Sequence, residues 1–177
     1  MKILRKLAAL AAIISTPGAA LAQANCLSND EAETVVTAML PSVLEAMHRQ
    51  CSPYLAPEAA LRSRGLDLAA QYSSTTINSR SEAARIAYRI ITNSESEQLE
   101  DISEATVLDV FEVAATGALA GSLDEDACAT ADRFYGILEP LPAANVAGLT
   151  VLLMEIGMRD DEPGQGVPFR LCDAAAG

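Results

Sequence analysis

Lysine stops at residue 6. The chain holds 12 basic side chains against 24 acidic ones, and its two lysines, Lys2 and Lys6, stand at the very start. Every later cation is an arginine. Nucleic acids and anionic membranes both reward concentrated basic surface, so a net charge of −12 argues against either as a partner. Tryptophan is absent and aromatics amount to 4%. A core built from Leu, Val, Ile, Met and Ala suits helices that approach one another closely. No alternating apolar pattern is long enough to make a sheet, and no internal repeat or low-complexity tract occurs.

Catalytic signatures are missing as well. The sequence contains no Gly-x-Ser-x-Gly, no Ser-x-x-Lys and no phosphate-cradling glycine loop. There is one histidine, His48, beside Glu45 and Arg49 on the polar side of its helix, where it is expected to face solvent. Without a second histidine, and with the cysteines expected to be oxidised, neither a zinc set nor a Cys–His pair assembles. The acids Asp124-Glu125-Asp126 fall in a first helical turn, where carboxylates complement the helix dipole. They also fail the calcium-loop pattern, which needs glycine where Ala129 stands. Asp160-Asp161-Glu162 follow a helix end and are read as part of the tail. No catalytic, metal or cofactor residue is assigned.

What is present begins with an export pattern. Lys2, Arg5 and Lys6 precede an apolar run from Leu7 to Ile14, then Pro17-Gly18 and Ala20-Leu21-Ala22. This is the order of a cleavable secretory signal over residues 1–22, its apolar run too short to span a bilayer. Gln23 stands three residues before Cys26, where a lipoprotein would carry leucine. A soluble protein of the bacterial periplasm, or a secreted one, is expected. Cleavage after Ala22 would leave nine basic residues against 24 acidic, a net of −15.

The remainder reads as one all-α domain, a bundle of five to seven helices over 23–159 with an irregular tail over 160–177. Apolar residues at Val36, Leu40, Val43 and Met47 keep helical spacing from Asp30 to Gln50. Ser28 with Glu31, Ser79 with Glu82, and Ser122 with Glu125 each make a capping-box pattern. A second helix is expected from Pro57 to Tyr72, with Gly65 weakening its middle, and the polar run SSTTINS (73–79) is read as a loop. Further helices are expected near 80–92, 101–119 (ended by Gly121), 124–138 and 143–159. The last is apolar nearly all round and is expected to be the central helix. Glu155 interrupts it, and Arg85 and Arg89, four residues apart, are candidate partners for Glu155 or for an anionic ligand.

Four cysteines in an exported chain imply two disulfides. A continuous helix over 29–50 holds its ends about 33 Å apart, whereas a disulfide needs Cα atoms within about 7 Å. Cys26–Cys51 is therefore disfavoured unless Pro41 breaks the helix, and the unshifted apolar phase through Pro41 indicates a kinked rod instead. Counting helices in an up-and-down bundle ranks Cys26–Cys128 with Cys51–Cys172 slightly ahead of Cys26–Cys172 with Cys51–Cys128. The functional expectation is a non-catalytic interaction or envelope accessory protein, whose partner is another envelope protein. A binder of a small lipid-like or anionic ligand is the first alternative and a small hydrolase the second.

Overall fold

A computed structural model describes residues 26–94, 103–158 and 170–172, so the expected signal segment and most of the tail lie outside the described residues. The fold is all-α. Its helices are α1 (Asn29–Cys51), α2 (Ala60–Ser94), α3 (Glu104–Ser122), α4 (Glu125–Leu138) and α5 (Ala143–Met158). Two-residue strands β1 (Cys26–Leu27) and β2 (Arg170–Leu171) pair in parallel, and the Cys172 amide donates to the Leu27 carbonyl at 2.8 Å.

α1 starts where its capping box places it. The Ser28 amide donates to Glu31 Oε2 at 3.0 Å and the Glu31 amide to Ser28 Oγ at 3.3 Å. The helix continues through Pro41, which is buried. It is also the central helix of the fold, with only Asn29, Asp30, Glu45 and Arg49 fully exposed along its length. The expectation that the last helix would be central is thus corrected. α5 buries just one face.

The largest correction concerns the run SSTTINS, which is helical. One 35-residue helix, α2, replaces the two helices and loop read from the sequence. Ser and Thr are poor helix formers in isolation, but a buried stripe runs unbroken through them: Leu61, Leu68, Tyr72, Thr76, Ala83, Ile86 and Ile90. Ser74 and Thr75 return their hydroxyls to the carbonyls of Gln71 and Tyr72. Tertiary packing overrides local propensity here. Ser79 and Glu82 accordingly lie inside α2, and Ser122 closes α3 with Gly121 within that helix, while Asp124 caps α4 by accepting from the Ala127 amide at 2.8 Å. Gly65 marks a close approach, since a Cβ there would stand 3.2 Å from His48 Cβ. His48 is half-buried at this contact, its Nδ1 3.1 Å from the Leu61 carbonyl, so it does not simply face solvent.

Merging two helices removes one chain reversal, and the parity of every later element flips. The disulfides are therefore Cys26–Cys172 and Cys51–Cys128, with Cα separations of 5.0 and 5.2 Å. The pairing ranked first from the sequence is corrected to the second. All four cysteines are bonded and Cys26–Cys51 does not form.

α4 packs on the first half of α2, and α5 rests chiefly on α1. Asp132 Oδ1 accepts from the Leu61 amide at 2.7 Å, capping from another helix the first turn of α2. Tyr135 donates to the Arg64 carbonyl at 2.8 Å, Arg64 grips Glu139 through two 2.7 Å bonds, and Tyr72 donates to the Leu141 carbonyl at 2.7 Å. α3 is fixed to α2 by Arg80, which bridges Asp109 and Glu112.

These phenols make the bundle alkali-sensitive. Burial raises the pKa of Tyr72 and Tyr135 above the ordinary 10.0, with Glu139 adding to the rise at Tyr135. A pKa higher in the folded state gives stability that is complete below pH 10 and is lost as pH climbs through the raised values. In a titration followed by phenolate absorbance and helical circular dichroism, the signal removed by Tyr72→Phe or Tyr135→Phe should lie above pH 10 and accompany loss of helix. Signal removed at or below pH 10 would contradict the burial. At the acid end, the Arg64 hydrogen bond lowers the Glu139 pKa against opposing burial, so its contribution is present above about pH 4.5 and fades as pH falls.

Candidate functional site

Two surface features stand out, and both involve α5. The first is its outer face. Ala143, Val146, Ala147 and Val151 face the core, while Leu149, Leu152, Leu153 and Ile156 are 39–52% exposed. At about 100° per residue the exposed set lies roughly opposite the buried set. Its spacing is i, i+3, i+4, i+7, the stripe by which one helix packs on another. A helix apolar on every side is ordinarily buried on every side, so this open stripe conflicts with its composition. Acidic side chains flank it: Glu33 of α1 lies 3.4 Å from where a Cβ on Gly148 would stand, and Glu155 follows on α5 itself. Phe134 and Ile137 of α4 are exposed as well, at 49% and 67%.

α3 also carries exposed apolar side chains, Val110 and Val113, and open space beyond Gly117 and Gly121. By length and composition it is the one described helix that could cross a membrane. Its acids Asp109 and Glu112 are ion-paired to Arg80, which matches the packing of α3 on α1 and α2.

The second feature is a cleft of about 460 Å³ where the chain breaks between α4 and α5. Thr37 of α1, Gln71, Tyr72, Thr75, Thr76 and Ser79 of α2, and residues 140–144 line it. None of these carries a formal charge. Thr76 is 2% exposed, the single buried polar residue among those described. Its usual acceptor, the Tyr72 carbonyl one turn back, takes the Thr75 hydroxyl instead. No sealed polar side-chain atom among the described residues lacks a partner, so the Thr76 hydroxyl opens onto the cleft. Shutting it away unpaired would cost about 1–3 kcal/mol. Pro41, with no amide hydrogen, also leaves the carbonyl of Thr37, another lining residue, without its helical donor.

The arginines singled out from the sequence are placed elsewhere. Arg85 pairs with Glu82 on its own helix, and Arg89 donates to Glu31 of α1 at 2.6 Å. Neither lines the cleft. Among the described residues, no three His, Cys, Asp or Glu side chains converge on a possible metal position. No local pattern marks the cleft lining, because the segment supplying five of its residues reads as the end of a helix and a loop.

No protein-family model matches the chain, and comparisons with curated proteins and with solved structures return no match.

Proposed function

We propose that this is an exported, non-catalytic interaction protein whose α5 stripe docks a basic amphipathic helix of a partner protein in the cell envelope. The observation carrying this reading is the exposure of Leu149, Leu152, Leu153 and Ile156 on a helix otherwise built for burial. Contiguous exposed apolar surface of this kind marks interaction sites, and the i, i+3, i+4, i+7 spacing accepts the matching face of a helix. The Glu33 carboxylate beside the stripe, together with the net charge of −12, favours arginine or lysine on the partner's flanks. A second copy brings the same net negative charge and is the poorer complement. Two disulfides suit an oxidising compartment, in keeping with the export pattern at the start of the chain.

The test uses a synthetic helix with leucines at the complementary spacing and arginines on its flanks, titrated by fluorescence anisotropy. The protein should bind it, and Leu152→Asp with Leu153→Asp should weaken binding at least about 30-fold. The same double variant should change stability by no more than about 0.5 kcal/mol. A peptide with glutamates replacing the arginines should bind more weakly. Equal binding by the double variant would defeat the proposal, and so would a stable homodimer that buries α5.

A further inference from the structure

The geometry points to a second, independent site: the cleft at the α4–α5 break binds a neutral polyhydroxylated ligand of the saccharide class. Three observations carry this. The lining has hydroxyl, amide and carbonyl groups but no charge, so neither an anion nor a cation finds a counter-ion there. Several of its polar groups both give and accept hydrogen bonds: the Thr76 and Ser79 hydroxyls do either by rotation and the Gln71 amide does both at once, while the Tyr72 and Thr75 hydroxyls, whose protons go to backbone carbonyls, can still accept. This matches a ligand whose own hydroxyls are equally two-sided. The remaining walls, Pro140, Pro142, Ala143 and Ala144, are small C–H surfaces suited to the apolar face of a sugar ring, while the half-buried Leu141 is the one larger aliphatic side chain.

The arrangement is also ordered along α2. Gln71, Thr75 and Ser79 recur once per turn along one edge, with Thr76 set deeper beside them. An extended peptide would need a row of backbone partners such as a strand edge provides, and these helix-borne side chains provide none. A lipid chain would find no enclosed apolar channel, because the cleft is half open. The volume, about 460 Å³, lies within the range of small-molecule sites. Thr76 is the specificity-bearing group, because its side chain is packed in place while its hydroxyl, which uses no acceptor in the protein, opens onto the cleft.

Thr76→Val keeps the shape and removes only that hydroxyl. The full exported chain is titrated with maltotriose and N,N′-diacetylchitobiose, using saturation-transfer NMR to detect contact and calorimetry for affinity. At least one of these neutral oligosaccharides should bind, and galacturonate and glucose 6-phosphate should not displace it. Thr76→Val should weaken binding about ten-fold or more while leaving the melting temperature unchanged or higher. Ser79→Ala, at the rim, should weaken it several-fold, and it decides the matter if the valine variant does not fold. The inference is overturned if neither oligosaccharide binds, if the variants bind as well as the parent, or if trialanine amide displaces the sugar. Because α5's stripe is not part of the cleft lining, Leu152→Asp with Leu153→Asp should leave sugar binding intact.

Discussion

Replacing Cys51 and Cys128 together by alanine should lower the free energy of unfolding by about 5–6 kcal/mol, most of it from releasing the unfolded chain and the rest from lost packing. The bond joins residues 77 apart, and a cross-link of that span restricts the unfolded chain by an amount near the upper end of the usual range. Cys26–Cys172 spans 146 residues, which by chain entropy alone adds about 0.6 kcal/mol. Packing works in the opposite direction. Cys51 and Cys128 are 0% exposed in the core cluster with Leu61, Tyr72 and Tyr135, whereas Cys26 and Cys172 are half-buried. Removing two sealed sulfurs forfeits roughly 0.8 kcal/mol each, taking a buried methylene as the yardstick. The packing difference therefore exceeds the loop-length difference, and Cys51–Cys128 should be the costlier bond to lose. Guanidinium unfolding of the two double-alanine variants checks this. The reverse order, or no loss from either, would contradict the assigned connectivity.

Leu61→Ala should cost about 3 kcal/mol or more, and Leu152→Ala close to nothing. Both are leucines in helices, and a reading from periodicity would rank Leu152, in the more apolar helix, as the deeper. The structure ranks them the other way: Leu61 is 0% exposed and Leu152 52%. Truncating a sealed leucine removes its transfer free energy and leaves a cavity, together about 2–5 kcal/mol, whereas the exposed one already meets water. Leu61 also lies in the first turn of α2, where its amide is held by Asp132 and its carbonyl lies against His48, so little can collapse into the space. Thermal and chemical unfolding of the two variants reads the difference directly. Similar costs at both positions would mean that the outer face of α5 is covered or that the start of α2 is not.

Those expectations show how far the sequence carries. The bundle class was legible because apolar side chains recur once per turn, and the start of α1 was legible because Ser28 and Glu31 form a local motif. The continuity of α1 through Pro41 was legible from unbroken phase. Propensity misled where tertiary contact decides. SSTTINS reads as a loop by composition, yet Thr76 fills a core position and the stripe from Leu61 to Ile90 never breaks. That single error also displaced the disulfide ranking, since parity depends on counting reversals. The Asp132 cap on α2 was invisible because the two residues are 71 apart.

The site was less legible than the fold. Burial of α5 was inferred from its own composition, but burial depends on whether neighbours cover it, and α1 takes the central place instead. Arg85 and Arg89 were singled out for their spacing, and they form ion pairs with Glu82 and Glu31. The cleft arises from the juncture of α1, α2 and the Pro140–Pro142 break, three segments whose meeting no local pattern announces.

The open α5 stripe is tested most directly by hydroxyl-radical footprinting, read residue by residue with and without the basic amphipathic peptide. Leu149, Leu152, Leu153 and Ile156 should be oxidised in the free protein and protected in the complex, while Leu61 and Leu108 stay unlabelled in both. A free protein in which the α5 leucines are as unreactive as Leu61 would contradict the account.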